Sequence, residues 1–166
     1  MRLLTSGIAA LLLAAPLSAS PLLDTRKPDP SYRVESTGTS SLGGVTVTRA
    51  TLTSQTWKSG DWTHRLSIFR PPSPAHPETC ILFVSGSGNG SGEDLLGAVL
   101  ARASRMPVAV LLDVPNQPLY GGKHEDELIA YTWTEFLKSG DESWPLLLPM
   151  AESAQRAMDA VQSLAK

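Results

Sequence analysis

The sequence holds a single cysteine, Cys80, in 166 residues. A disulfide framework within the chain is excluded, and Cys80, at the head of an apolar run, reads as a buried, inert thiol. Charge is also scarce: 18% of residues are charged and the formal net charge is -2. That balance gives no electrostatic basis for binding nucleic acid or an anionic membrane. Neither a repeat nor a heptad seam occurs. The apolar run Ile8 to Ala15 is too short to span a bilayer comfortably, and Pro16 breaks it.

What is present is an ordinary globular composition, 42% hydrophobic, long enough for one domain with a sizeable core. The 13 glycines and 13 prolines point to many turns. Residues 1–20 read as a secretory signal peptide, with Arg2 as the basic segment, Ile8 to Ala15 as the apolar segment and Ser18, Ala19 and Ser20 offering the cleavage site. No lipid-bearing cysteine follows it, which argues against a lipoprotein. The expected location is periplasmic or secreted, with no membrane association after cleavage.

Residues 21–44 read as an extended lead-in, Pro-rich and polar at first. From Val45, β-branched residues alternate through "VTVTRATLTSQTW", and "WTHRLSIFRP" repeats the pattern after the turn signal "KSGD". Two such runs predict a β-hairpin. "CILFV" at 80–84 lacks alternation, which predicts a strand buried on both faces. A glycine- and serine-rich loop follows, then helical spacing through Glu93, Asp94, Leu95, Leu96, Val99 and Leu100, and a second apolar run from Val108 to Val114. Strand, loop, helix, strand is a parallel βαβ unit. "KHEDELIAYTWTEFLKSG" and "LPMAESAQRAMDAVQSLAK" predict two further helices. Two doubly buried strands without another neighbour are too little sheet for these helices to cover, so residues 45–166 read as the N-terminal part of a larger α/β domain.

The loop "VSGSGNGSGED" admits three chemistries. A Walker-type phosphate loop needs Gly-Lys-Ser/Thr; here Gly92 is followed by Glu93 and Asp94, which would repel phosphate. A dinucleotide fingerprint starting at Gly86 finds Gly88 in third place but Ser91 in sixth. An oxyanion loop asks only that glycine let the backbone approach the substrate and lend an N–H to developing negative charge. A turn without any ligand stands equally open.

The segments "WTHRLSIFRP", "ILFVSGSGNG" and, above all, "DVPNQPLYGGKHEDELIAY" at 113–131 closely resemble the PhoPQ-activated pathogenicity-related protein family. Its members are exported, α/β-hydrolase-like and considerably longer. The resemblance runs from about Val45 to Lys166. It implies an incomplete α/β-hydrolase-like fold, an N-terminal β-hairpin followed by a parallel βαβα, that stops before the nucleophile turn. It also implies hydrolysis of an ester or peptide bond by the full-length protein, or a secreted binding or signalling role on the same scaffold.

No Gly-x-Ser-x-Gly elbow occurs, so no residue is assigned as catalytic. Ser85 and Ser87 lack flanking glycines and read as loop formers. Gly86, Ser87, Gly88 and Asn89 are the candidates for an oxyanion or substrate loop. Asn116, Tyr120 and His124, with Asp113 and Lys123 nearby, follow the second buried strand and are candidates for a pocket, or for a plain turn. His124 and Glu127 share a helix face, but no third metal ligand is close in sequence, and no metal or cofactor is expected. His64 is solvated or packed. Trp57, Trp62, Trp133 and Trp144 read as core packing rather than as a carbohydrate platform. The expected partner is a small-molecule or peptide substrate, or a secreted protein, and not nucleic acid.

Overall fold

A computed structural model describes residues 27–58 and 60–164. The leader peptide expected at 1–20 lies outside the described residues. Eight elements follow in order: β1 Arg33–Leu42, β2 Val45–Trp57, β3 Gly60–Arg70, β4 Ile81–Val84, α1 Ser91–Ser104, β5 Val108–Leu112, α2 Glu125–Ser139 and α3 Leu147–Leu164. The strands form one open sheet in the order β1-β2-β3-β5-β4.

The expected hairpin is β2 with β3, closing with Trp57 opposite Gly60 across a tight turn at Lys58. The expected βαβ unit is also present, β4 and β5 pairing in parallel around α1. Three findings differ from the sequence reading. Part of the lead-in, 33–42, is a strand that pairs antiparallel with β2, so the opening is a three-stranded meander. The sheet is mixed, because β3 pairs antiparallel with β5. And β4 is not buried on both faces. It is the sheet's outer strand, with Phe83 37% and Val84 39% exposed, because burial requires a neighbour that the described residues do not supply.

Helices cover both faces. Val108, Val110 and Leu112 of β5 point to one side, where they pack with Val45, Val47, Phe69 and the α1 residues Ala98 and Ala101. Ala109 and Leu111 point to the other, packing with Leu52, Leu66, Ile68 and the α3 residues Ala157 and Ala160. This is period-two alternation read by two helices. A bulge in β2 between Thr53 and Gln55 changes that alternation locally. As a result the successive side chains Ser54 and Gln55 both reach α3, at Ser153 Oγ (3.1 Å) and the Pro149 carbonyl (2.9 Å).

A third cluster joins Trp57 and Trp62 to Leu128 and Leu146, with Tyr120 packed against it. Trp144 stands edge-on to Trp57 at 6.4 Å and is 5.5 Å from Tyr120. Core packing therefore accounts for Trp57 and Trp62. Trp133 is different: it is 42% exposed on α2.

Candidate functional site

The loop after β4 is fixed at its two ends. The Ser85 amide donates to the Leu111 carbonyl at 2.9 Å, and the Asp113 amide donates back to the Gly86 carbonyl at 3.1 Å. At the far end Gly90 takes a left-handed conformation, φ 80°, to turn the chain into α1. A Cβ there would also lie 2.9 Å from Leu112 Cδ1 and push that side-chain end aside, so the backbone angle is what favours glycine. Asn89 Oδ1 accepts from the Ser91 amide and hydroxyl at 3.0 and 2.9 Å, a local cap for the helix start.

Between these anchors, the amides of Gly86, Ser87 and Gly88 donate to no acceptor among the described residues. The loop carbonyls are engaged instead. Arg65 on β3 donates through Nη2 to the Gly88 carbonyl at 2.6 Å and through Nη1 to that of Asn89 at 3.4 Å. Its Nε and Nη2 grip Asp113 Oδ2 and Oδ1 at 2.7 and 2.9 Å. Asp113 in turn holds the Arg65 guanidinium firmly charged, above its ordinary value. One side chain thereby ties β3, the glycine loop and the turn after β5 together, in a fork geometry lysine cannot reproduce. Beside it lies a recess of about 190 Å³, lined by Arg49, Thr51, Arg65, Asn89, Gly90 and Asp94. Asp94 in the first turn of α1 is neutralised by Arg49 at 2.6 Å, and Glu93 accepts from the Ser85 hydroxyl at 3.4 Å.

The remaining candidates separate. Asn116 accepts from the Thr63 amide at 3.4 Å. Tyr120 packs in the aromatic cluster, 5.0 Å from Tyr131 and 6.3 Å from Trp57. Lys123 bonds Glu127 at 3.1 Å and sits over the Tyr131 ring. His124 is exposed and precedes α2, its carbonyl accepting from the Leu128 amide. Asn116, Tyr120 and His124 thus contact different partners. Among the described residues no three His, Cys, Asp or Glu side chains gather as metal ligands would.

Gln117 and Glu125, by contrast, are close to the loop. Gln117 Nε2 donates to Ser87 Oγ at 3.3 Å and also to Glu125, and the Glu125 amide donates back to Gln117 Oε1 at 2.7 Å. Glu125 packs over Gly86. Sequence reasoning passed over both, and over Arg65. The only signal for Arg65 was its outward place in an alternating strand.

His64 is packed, not solvated. Its Nδ1 lies 2.9 Å from the Asp113 carbonyl and its Nε2 2.9 Å from Ser54 Oγ. A carbonyl can only accept, so Nδ1 carries the proton and the Ser54 hydroxyl donates to Nε2. Burial pushes the imidazole below its ordinary value and keeps it neutral. With Ser54 0% and His64 1% exposed, this serine–histidine pair cannot meet a substrate. Cys80 is half-buried; burial pushes its thiol up, which keeps it protonated and unreactive.

The model of the PhoPQ-activated pathogenicity-related protein family matches residues 23–166. The chain belongs to that family. The chain is 32% identical over 172 residues to autocrine proliferation repressor protein A of Dictyostelium discoideum. The alignment covers 93% of this chain and 34% of that protein, so the chain spans about a third of the relative's length. No solved structure matches. Among the described residues no helix is long and apolar enough to cross a membrane.

For this PhoPQ-activated family chain the Arg65 fork yields a direct expectation. The pair is partly solvated, so Arg65→Ala should cost no more than about 1 kcal/mol of global stability. Amide exchange at 86–89 should nevertheless accelerate about tenfold or more, as local opening decouples from global unfolding. Hydrogen exchange read by mass spectrometry checks this, and unchanged loop rates would show that Arg65 does not hold the loop.

Proposed function

We propose that this chain forms the first strands and the oxyanion-type loop of an exported α/β-hydrolase-like protein. In the longer protein that scaffold would hydrolyse an ester or peptide bond of a small-molecule or peptide substrate. The observation that carries the reading is the 86–89 loop: its amides are unengaged at the end of β4, while its carbonyls are drawn to Arg65. Acyl transfer places negative charge on a carbonyl oxygen, and fixed amide donors stabilise that charge without reorganising. Glycine at 88 leaves open space beside the loop, and glycine at 86 leaves room for the Glu125 carboxylate. Antiparallel strands followed by β4-α1-β5 agree with the opening order of the hydrolase scaffold.

The described residues contribute donors and no nucleophile. Ser85 bonds Glu93, Ser87 bonds Gln117, and His64 is buried away from solvent. This chain by itself is expected to be inactive. A fluorophosphonate probe applied to a full-length family member should label one serine outside the region matched here. Absence of labelling would sink the hydrolase reading.

A second reading is a secreted, non-catalytic binding or signalling protein on the same scaffold, and the name of the Dictyostelium relative favours it. The two part on one comparison: purified protein that slows cell proliferation while refusing the probe supports signalling. Export itself is tested by N-terminal sequencing of the secreted or periplasmic protein, which should begin near Pro21.

A further inference from the structure

α1 inverts the usual pattern of a surface helix, which turns its apolar stripe inward and its polar face to solvent. The side that packs on the sheet is made of small residues, Gly97, Ala98 and Ala101. The large apolar residues point the other way: Leu95, Leu96 and Val99 are 61%, 38% and 54% exposed. With the exposed Gly92 and Ala103 they form a solvent-facing stripe that holds no polar side chain. Leu42 widens it. Its strand partner Val45 belongs to the α1-side core, so Leu42 faces the same side of the sheet, and it too is exposed. α1 lies over β5, β3 and β2. Among the described residues it is the only helix on this side, since α3 packs on the other face and α2 joins it around Leu146 and Met150.

The stripe has a symmetry that selects its occupant. Gly92, Leu96, Val99 and Ala103 follow one another at intervals of four, three and four, the seam of a helix pair. They run small, large, large, small, evenly about the middle of the helix Ser91–Ser104. A two-fold axis beside that middle, with the helices antiparallel, sets Leu96 of one copy against Val99 of the other and Gly92 against Ala103. Each layer then joins residues of similar size, and nothing lies within 4 Å of a Cβ at Gly92 to obstruct the approach. Charge agrees with this direction. The first turn carries Glu93 and Asp94 and the last carries Arg102, so antiparallel pairing brings acidic end to basic end, whereas parallel pairing would place like beside like. Arg102 and Arg105 bond only backbone carbonyls, and Glu93 only the Ser85 hydroxyl, so these charges are not spent within the chain. An unrelated partner would require no such symmetry.

We infer that α1 is a self-association surface through which two copies of this chain pair antiparallel about a two-fold axis. Leu96 and Val99 form the centre of the contact, and Leu95 and Leu42 its rim. A two-fold contact needs a patch complementary to itself, and the stripe meets that condition. The contact is small. A helix of 14 residues is about 21 Å long, and one helix pair with its rim buries less than the roughly 1,200 Å² of a stable complex. The dimer is accordingly weak, dissociating in the range of about 10 µM to 1 mM. The inference is independent of the hydrolase reading.

Sedimentation equilibrium of this chain across that range tests it. A monomer–dimer equilibrium is expected; a monomer throughout, or open-ended association, would overturn the inference. Leu96→Glu and Val99→Lys change exposed side chains and should each weaken the dimer at least about tenfold. Leu137→Glu is the control: Leu137 on α2 is more exposed, at 78%, and its replacement should leave the dimer unchanged. The opposite ranking would place the contact elsewhere and overturn the inference. The direction of pairing is read from a mixture. Combined one to one, the Leu96→Glu and Val99→Lys chains should dimerise about tenfold more tightly than either alone, because the two-fold sets the new carboxylate against the new ammonium and leaves the second Leu96–Val99 layer intact. With both variants folded by circular dichroism, a mixture no tighter than its parts would overturn the antiparallel pairing.

Discussion

Gly97→Ala is expected to destabilise the protein, against the preference of an isolated helix. Alanine in place of glycine inside a helix ordinarily gains about 1 kcal/mol. At Gly97 a Cβ would stand 2.6 Å from two carbons of the Phe69 ring, well inside contact distance. Phe69 is fully buried in the α1-side core, so its ring has little freedom to retreat. Overpacking of that kind costs about 1–3 kcal/mol, and the larger Gly97→Val should exceed it. Net of the helix gain the loss is at most about 2 kcal/mol, so the Gly97→Ala melting midpoint should fall by up to about 8 °C, given the usual scaling for a chain of this size. Gly92→Ala, where nothing lies within 4 Å of the new methyl, is the control and should be neutral or slightly stabilising. Phe69→Leu should recover part of the loss in the double variant, since neighbours that share a contact are not additive. A Gly97→Ala protein as stable as Gly92→Ala would show that α1 does not lie so close to the sheet. The same approach positions the site: if α1 rides up, Gly90 leaves Leu112 and the glycine loop moves with it.

What could be read in the sequence, and what could not, follows from the range of the interactions. The β2–β3 hairpin, β5 and the three helices each announce themselves through local periodicity. β1 did not, because "RVESTGTSSL" is an exposed edge and carries almost no apolar alternation. "ILFV" was legible as a strand, but its burial depends on a neighbour and not on its own residues. The glycine loop was legible as a loop, and the acids at 93 and 94 ruled out phosphate. The partners that shape it were not. Arg65 reaches Asp113 across 48 positions and Gly88 across 23, and no local pattern encodes a pairing of that length. Asn116, Tyr120 and His124 looked like one pocket because they are close in sequence. The turn instead sends Tyr120 into the aromatic cluster and leaves His124 in solvent, while Gln117 and Glu125 meet the loop.

The longest of these pairings supports the other large expected effect. Asp113, His64, Ser54 and Ser153 form a relay that fastens β5, β3, β2 and α3, ending at the Ser153 hydroxyl, whose single proton is shared between Ser54 Oγ at 3.1 Å and the Pro149 carbonyl at 2.9 Å. His64→Leu would leave the Asp113 carbonyl without its partner in a part-buried site and the buried Ser54 hydroxyl with Ser153 alone. An orphaned group costs about 1–3 kcal/mol, so a loss in that range and a midpoint lower by about 2–12 °C are expected. Acid should act on the same group. Burial lowers the His64 pKa in the folded state, whereas the unfolded chain takes up a proton near pH 6.5. Below that pH the unfolded state binds more protons than the native one, so stability is fully present above about pH 6.5 and declines as the pH falls. The slope can approach about 1.4 kcal/mol per pH unit. Asp113 opposes the shift by its charge and does not cancel it. Carboxylates held low by hydrogen bonds, Asp29, Asp61 and Asp141, act only in stronger acid. Glu152, raised by burial, acts with the opposite sign, so the raw slope alone does not decide. The decisive measurement is the difference between wild type and His64→Gln in denaturant melts at pH 7 and pH 5. Glutamine cannot titrate, and the variant should lose less stability over that interval; equal losses would mean that His64 takes its proton without disturbing the relay.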